Sequence, residues 1–201
     1  MDRNEELRDL AQRIEEIVAR ADLFLDTETT DRDGSEVVEI GIVDRNGNAL
    51  LSALVRPKGI ITPEATAVHG ITQADVACAA TWLDLWPAVR AILQGRNVAC
   101  YNAAFDFGAL RNSCKAYPSL RWHNVELPGV AASWHDVMEP FAIWYGEWDN
   151  YHDNYHWQKL STAVRCAHLA EAANSHRAIE DAEACRQVLL WLHETLQRRP
   201  E

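Results

Sequence analysis

The stretch FLDTETTD, residues 24–31, decides how the rest of the sequence is interpreted. It places two carboxylates, Asp26 and Glu28, directly after an apolar run at residues 23–25. Side chains two residues apart on a strand project from the same face of a sheet, with Cα atoms about 6.6 Å apart. Two anions at this separation repel each other. We therefore expect a cation to lie beside Asp26 and Glu28 at the end of this buried strand.

Length and composition predict a single domain over residues 1–201. Hydrophobic residues make up 48% of the chain, which is enough to fill one core. No uncharged apolar run approaches the roughly 18 residues that a membrane-spanning helix needs, and residues 1–22 are too acidic for a signal peptide. The five cysteines are an odd number, widely scattered, without a C-x-x-C motif. They indicate reduced thiols in a cytoplasmic protein.

The formal net charge of −11 and the isoelectric point of about 5.1 argue against one class of nucleic-acid-binding protein. A protein that coats nucleic acid through a broad basic surface carries the opposite charge. An enzyme that grips only a strand end is still compatible with this acidity, because a few local cations and bound metal are sufficient for such a site.

Apolar periodicity in the first half predicts one helix, three strands and a further short helix. Residues 2–20 carry apolar residues at helical spacing and predict an amphipathic helix. A strand is predicted at residues 22–27, and two β-rich segments around Asn46-Gly47 predict antiparallel strands two and three. Residues 62–70 predict a short helix that begins with a threonine cap and a proline and ends at a glycine.

The rest of the chain alternates predicted helices and strands, an arrangement typical of an α/β domain with a mixed sheet. A loop is predicted at residues 118–132. The other predicted elements are a helix at 81–94, a strand at 97–101, a helix at 103–116, a short strand followed by a helix within 133–146, and two final helices within 158–170 and 176–198.

Three further polar residues accompany the first pair. Asp106 lies in the first turn of the helix that follows strand 97–101, and His176 and Asp181 lie five residues apart where the last helix begins. Asp181 shares a helical face with Cys185, so it is expected to point inward and to need a partner there. Each residue also has an ordinary interpretation: a solvated strand end for the first pair, a favourable charge at a helix N-terminus for Asp106, and a helix-start histidine.

In combination, these residues resemble the motifs of the DEDDh-type 3′–5′ exonucleases, the DnaQ-like proofreading family on a ribonuclease H-like fold. The resemblance covers residues 22–195 as a nuclease core, preceded by the N-terminal amphipathic helix within residues 1–20. It implies a three-layer α/β fold in which helices flank a central mixed sheet of about five strands. The first motif usually continues Thr-Gly, whereas here it continues Thr30-Asp31, a departure in a loop. The matching motifs are Asp26-x-Glu28, Val68-His69-Gly70-Ile71-Thr72, Asn102-Ala-x-Phe105-Asp106 and His176-x4-Asp181.

The resemblance implies metal-dependent hydrolysis of phosphodiester bonds. Two divalent cations, Mg²⁺ with Mn²⁺ as a substitute, would neutralise the acids, since sites built only of oxygen ligands select hard ions. Asp26 would bridge both cations, and His176 would act as the general base that takes a proton from water. The substrate would be a free 3′ end of DNA or RNA, and the product nucleoside 5′-monophosphates. The implied metal ligands are Asp26, Glu28, Asp106 and Asp181, which with His176 form the implied catalytic set.

The resemblance also implies a pocket for the terminal nucleotide. Val68 and His69 would lie against that nucleotide. Four further residues would line or support the pocket, namely Thr27, Thr29, Asn102 and Phe105. Each of the six also has a simple explanation as a packing or turn residue.

A tandem repeat at residues 149–156, DNYHDNYH, leaves its role open. His152 and His156 would share a helical face and could bind a metal, but Asn, Asp and Tyr favour a helix poorly. Aromatic residues in and beside the repeat could stack on unpaired bases, or could pack on the domain as part of a loop. The aromatic residues are Trp148, Tyr151, Tyr155 and Trp157, and the cations that could meet phosphates are Arg111, Lys115, Lys159, Arg165 and Arg177.

Three functional hypotheses follow. The first is a self-sufficient exonuclease that binds a single-stranded 3′ end, with no membrane partner. The second is a proofreading or accessory exonuclease subunit that acts mainly within a polymerase or repair complex, and the third is a non-catalytic nucleic-acid-binding relative. The third is disfavoured because all five chemical positions are filled. The sequence does not distinguish DNA from RNA, and it leaves a homodimer open.

Overall fold

A mixed sheet of six strands forms the centre of the computed structural model, which describes residues 2–31, 35–121, 130–169 and 176–198. The strands are β1 Leu23–Thr29, β2 Val37–Asp44, β3 Ala49–Arg56, β4 Ala80–Thr81, β5 Asn97–Cys100 and β6 Ser133–Asp136. They lie side by side in the order β4-β3-β2-β1-β5-β6. β1, β2 and β3 are antiparallel neighbours, while β5 pairs parallel with β1, β6 parallel with β5, and β4 parallel with β3. The predicted mixed sheet is confirmed, with the short edge strand β4 as an addition.

Helices cover both faces of this sheet. Their bounds are α1 Arg3–Arg20, α2 Pro63–His69, α3 Trp82–Leu93, α4 Ala103–Lys115, α5 Pro118–Arg121, α6 Met138–Tyr145, α7 Leu160–Cys166 and α8 Ala178–Gln197. A separate two-stranded hairpin consists of β7 Trp148–Asp149 and β8 Asn154–Tyr155.

Two apolar cores produce the three layers. On one face, α1, α6, α7 and α8 pack against Phe24, Val43 and Ala99 of the sheet. On the other face, α3 and α4 pack against Leu25 and Val98. β1 contributes to both cores because successive side chains of a strand point to opposite faces. The expectation of a central sheet flanked by helices is therefore confirmed.

Local sequence signals place the turn of the hairpin and the cap of α2 where they were predicted. Gly47, with φ 85°, occupies the turn between β2 and β3, a conformation that suits glycine. Thr62 caps α2 by accepting a hydrogen bond of 3.2 Å from the backbone N–H of Ala65. α2 then ends at Gly70, which has φ 74°.

Three elements differ from the expectations. Residues 118–121 form a short helix, α5, where a loop is predicted, because Pro118 is well suited to the first helical position. Residues 122–129 of that predicted loop lie outside the described part of the chain. The last helix begins at Ala178, since His176 has φ 42° and is not helical. The repeat forms the hairpin β7–β8, which is too short to produce a strand pattern.

The helices within the described residues are all too short or too polar to cross a lipid bilayer. All five cysteines are free. The prediction of unpaired thiols is therefore confirmed.

Gly41 lets the start of α8 lie directly on β2. A Cβ at this position would come within 2.3 Å of the backbone carbon of Ala178 and the backbone nitrogen of Ile179. Because these are backbone atoms, no side-chain rotation can make room for it. The absence of a side chain at Gly41 therefore sets the distance between α8 and the sheet.

We expect Gly41→Ala to lower the free energy of unfolding by about 3 kcal/mol, because overpacking must displace α8 from β2. Urea denaturation monitored by circular dichroism would measure the change. The matched control is Gly108→Ala on α4, where an added Cβ meets nothing within 4 Å. Since alanine favours a helix by about 1 kcal/mol over glycine, the control is expected to gain stability. Equal stability of the two variants would contradict the close approach.

Candidate active site

β1 distributes its polar side chains between the two faces of the sheet. Phe24 packs in the core beneath α8, whereas Leu25 packs in the core beneath α4. The alternation of a strand therefore directs Asp26 and Glu28 to the α8 side and Thr27 to the α4 side. The quoted stretch thus presents its two acids to the helix that carries the third.

The start of α8 brings two further polar residues to β1. Glu28, His176 and Asp181 each offer a ligand atom, and the three atoms lie within 4.8 Å of one another. His176 is exposed, whereas the two carboxylates are half-buried. Among the described residues, these three form the one cluster of at least three potential metal ligands. Asp26 and Asp106 lie outside it. His176 thus lies beside two of the acids, where the resemblance implies a general base and not a metal ligand.

Asp106 approaches the same region from α4. Its side chain is 1% exposed, and its Oδ1 accepts a hydrogen bond of 2.8 Å from Thr27 Oγ1. Asn102, with φ 75°, makes the sharp turn from β5 into α4. Asp136 fixes that turn by accepting a hydrogen bond of 2.7 Å from the backbone N–H of Ala103. These contacts hold Asp106 beside the end of β1.

Burial and like charge raise the pKa values of the four acids. Burial, followed by repulsion from Asp106 and Asp181, holds the pKa of Asp26 well above its usual range. Burial and repulsion from Asp181 raise the pKa of Glu28 to about 8. Burial raises the pKa of Asp106 to about 8 and that of Asp181 to about 6. The acids are therefore close enough to repel one another, and a cation among them would stabilise their charged forms.

A cavity of about 540 Å³ opens onto this cluster. Glu28, His176 and Asp181 line it, while Asp26 and Asp106 do not. Five of the six predicted substrate-contact residues also line the cavity, namely Thr29, Val68, His69, Asn102 and Phe105. Thr27 is buried and instead bonds to Asp106.

His69 is held by the backbone on both sides of its ring. Nδ1 accepts a hydrogen bond of 3.0 Å from the N–H of Ile71, so Nε2 carries the proton that it shares with the carbonyl oxygen of Thr29 at 3.1 Å. Burial lowers the pKa of His69. The ring therefore joins the end of α2 to the end of β1, and both of its nitrogens are engaged by the backbone.

The five predicted phosphate-binding cations have different environments. Lys159 lines the cavity, Arg177 pairs with Glu39, and Arg165 bonds to Thr162. Arg111 and Lys115 are exposed on α4. The geometry therefore favours Lys159 as the cation that can meet a ligand in the cavity.

Comparison with known proteins identifies the family of this chain. The exonuclease family model, RNase_T, matches residues 23–189. The chain belongs to this family. The uncharacterized exonuclease CP81 of Escherichia phage 186 is 32% identical over 185 residues, which cover 90% of each chain. This exonuclease therefore has a relative of similar length.

Solved structures share the fold of this exonuclease. Exonuclease X in complex with 5′ overhanging duplex DNA has 26% sequence identity and a TM-score of 0.59, covering 86% of this chain and 91% of its own. S. pombe Pop2p in a Mg²⁺ and Mn²⁺ bound form has 13% identity and a TM-score of 0.60, covering 98% and 91%. At that identity the second match supports the fold alone. The predicted DnaQ-like, DEDDh-type exonuclease on a ribonuclease H-like fold is confirmed.

The acids of this exonuclease suit divalent cations. Within the described ranges, no Lys or Arg lies at salt-bridge distance from Asp26, Glu28, Asp106 or Asp181. The donors are carboxylate oxygens, which favour hard ions such as Mg²⁺ and Mn²⁺. The pKa values of these acids stay raised although Arg177 and His176 act in the opposite direction on Glu28 and Asp181. A bound cation would stabilise the charged carboxylates.

Glu39 is an acid at the site that sequence reasoning missed. It lies on β2 opposite Glu28 and is 1% exposed. Its carboxylate accepts hydrogen bonds from Arg177 at 2.5, 2.9 and 3.2 Å and from the backbone N–H of Ala178 at 3.0 Å. The pair fixes the first residues of α8 to β2, directly beside His176. The available signal was a single charge within the apolar run VVEIGIV.

The raised pKa values predict that the metal-free exonuclease loses stability as the pH rises from about 5 to 9. Folded-state pKa values of about 6 for Asp181 and about 8 for Glu28 and Asp106 exceed the usual unfolded values. These groups therefore stabilise the fold below their unfolded pKa, and that contribution disappears as the pH passes their folded pKa values.

Thermal unfolding in EDTA across this pH range would measure the loss. Mn²⁺ is expected to raise the melting temperature more at pH 8.5 than at pH 6, because protons compete with the metal for the carboxylates. The control Asp106→Asn removes one repelling charge and is expected to flatten the decline in EDTA. A melting temperature that rises steadily from pH 6 to 8.5 in EDTA would contradict the prediction.

A second prediction concerns the ion pair that holds α8. We expect Arg177→Ala to lower the free energy of unfolding by about 1–3 kcal/mol, because Glu39 then remains buried with a donor missing. Adding Glu39→Gln should restore part of the loss, since a neutral amide tolerates burial better than an unpaired carboxylate. Chemical denaturation of the single and double variants would measure both effects. The control Arg198→Ala breaks an exposed pair and should change stability little. A double variant less stable than Arg177→Ala would contradict this role.

Proposed function

We propose that this exonuclease hydrolyses the terminal phosphodiester bond at free 3′ ends of DNA or RNA and releases nucleoside 5′-monophosphates. The observation that carries the proposal is the meeting of Glu28, His176 and Asp181 within 4.8 Å on the wall of one cavity. Two further acids, Asp26 and Asp106, lie close enough to raise the energy of the charged cluster.

The four carboxylates would hold two divalent cations, Mg²⁺ or its substitute Mn²⁺. When bound, such cations neutralise charge on the phosphate and the carboxylates and make water easier to deprotonate. Thr27 supports this role by holding one oxygen of Asp106 in place. The ion pair of Glu39 and Arg177 supports it from the other side, because it fixes the helix that carries Asp181.

His176 is the general base in this proposal. It is exposed at the cavity, so a ring nitrogen can accept the proton of the attacking water. As the water oxygen bonds to phosphorus, the bond from phosphorus to the 3′-oxygen breaks, and the leaving oxygen takes up a proton from solvent. The nearby carboxylate of Asp181 stabilises the protonated ring. No covalent enzyme intermediate forms.

The terminal nucleotide would occupy the cavity between α2 and the start of α4. Val68, on α2, is 46% exposed there, and Asn102 and Phe105 lie where α4 begins. Exonuclease X, whose structure was solved in complex with 5′ overhanging duplex DNA, is similar to this chain. That complex supports the proposal of a nucleic-acid substrate here. The proposal needs no second chain, so the isolated protein is expected to be active, and a homodimer or a polymerase or repair partner stays a prediction.

Digestion of 5′-labelled and 3′-labelled single-stranded and duplex DNA and RNA tests the proposal. In Mg²⁺ or Mn²⁺, a 5′-labelled strand should give a descending ladder, a 3′-labelled strand should release a labelled mononucleotide at once, and EDTA should stop both. Comparison of DNA with RNA decides the sugar preference. Release of the labelled mononucleotide from the 5′ end first, or equal activity in EDTA, would overturn the proposal.

Variants separate the two proposed roles of the start of α8. His176→Ala is expected to lower kcat by about 10²–10⁴-fold while leaving Mn²⁺ binding detectable by calorimetry, because it removes a general base. Asp181→Asn is expected to remove both activity and most of the Mn²⁺ affinity. The matched control is Glu180→Gln, at an exposed neighbour on the same helix, which should keep wild-type activity. Full activity of Asp181→Asn would refute its place in the site.

A further inference from the structure

Trp157 stands on the wall of the cavity with 65% of its surface exposed. Trp82 and Trp86, by contrast, are only 1% and 3% exposed, and Trp148 on the neighbouring hairpin is 47% exposed. An indole buries a large apolar area when it finds a partner, so exposure at this place leaves that stabilisation unused. The side chain lies in the same cavity as Glu28 and Asp181.

The backbone on both sides of Trp157 is fixed. The hydroxyl of Tyr101 donates a hydrogen bond of 2.9 Å to the carbonyl oxygen of Gln158. The N–H of His156 donates one of 2.8 Å to the carbonyl oxygen of Glu147. The Gln158 side chain donates another of 2.9 Å to the Glu147 carboxylate. Because both neighbours are held, little backbone freedom is lost when a ligand meets the ring.

The hairpin β7–β8 supplies the anchor for this segment. Tyr155, two residues before Trp157, donates a hydrogen bond of 2.6 Å from its hydroxyl to Glu6 on α1. Arg3 donates one of 2.9 Å to the same hydroxyl and another of 2.7 Å to the carbonyl oxygen of Ile143 at the end of α6. The hairpin is thereby bound to two helices of the core.

The tandem repeat builds the turn of this hairpin. Asp149 accepts hydrogen bonds from the backbone N–H of Tyr151 at 2.9 Å and from Nδ1 of His152 at 2.6 Å. Nδ1 of His156 lies 3.4 Å from the same carboxylate. Asp149 therefore contacts both histidines of the repeat. These contacts stabilise the segment that leads to Trp157.

We propose that Trp157 is a stacking platform for one nucleobase of an unpaired 3′ tail. The inference rests on the proposed function and names the form of its substrate. A base in a duplex is already stacked on both faces, whereas an unpaired base can lie on the indole, and every base offers a π-face. Lys159, two residues further on the same wall, is placed to meet a phosphate of that tail.

The experiment uses single-turnover and steady-state kinetics on a 5′-labelled single strand. Trp157→Ala is expected to raise KM by about 5- to 150-fold, the equivalent of one lost base stack, with kcat nearly unchanged. Trp157→Phe should recover most of the affinity. The matched control is Tyr151→Ala, because Tyr151 is 89% exposed on the same hairpin but does not line the cavity. Tyr151→Ala should leave KM unchanged.

Abasic substrates distinguish stacking from a structural effect. One abasic site is placed in turn at each of the last four nucleotides of the strand. The penalty of Trp157→Ala should disappear at one of these positions, where the base that stacks is missing, and persist at the others. A penalty of the same size at all four positions, or an unchanged KM on the intact strand, would overturn the stacking role. Absence of 3′–5′ digestion by the wild-type protein would instead overturn the proposed function itself.

Discussion

Repulsion among buried carboxylates is the constraint on which the rest of this structure depends. Asp26, Glu28, Asp106 and Asp181 come from three separate elements, and burial raises the pKa of each. Burying these groups together costs free energy, which the packing of the two apolar cores must offset. The strand β1, whose core residues are almost fully buried, is the element that can carry such a pair because both of its faces are packed.

Glu39 differs from the four acids of the proposed metal site because its carboxylate forms an ion pair with Arg177. Glu39 is as deeply buried as Asp106, at 1% exposure each, yet it receives a guanidinium and a helix N–H. The described residues provide no comparable basic partner for Asp106, whose carboxylate accepts hydrogen bonds from neutral donors such as the Thr27 hydroxyl. Among the described residues, Glu39 forms an ion pair with an arginine, whereas no Lys or Arg forms a salt bridge with Asp26, Glu28, Asp106 or Asp181. This difference suits a cation that comes from solution.

The sequence was informative where the cause of a structure is local. Asn46-Gly47 places a hairpin turn because glycine tolerates a positive φ, and the five-residue offset from His176 to Asp181 places both beside Glu28. It was uninformative where the cause is tertiary. The pairing of Glu39 with Arg177 joins residues 138 positions apart, and the position of α8 on β2 follows from the missing Cβ of Gly41. The strands β4, β7 and β8 have two residues each, too few for an alternating pattern.

The start of α8 shows how the same contacts serve stability and chemistry together. His176 adopts φ 42°, a conformation that costs a non-glycine residue of order 1 kcal/mol. The neighbouring Arg177 and Ala178 are both bound to Glu39, so the chain is fixed immediately after the histidine. Because these bonds hold the chain directly after the histidine, they also restrain the imidazole where it lines the cavity. The ion pair that stabilises the buried acid on β2 is thus also the contact that sets the position of the proposed base.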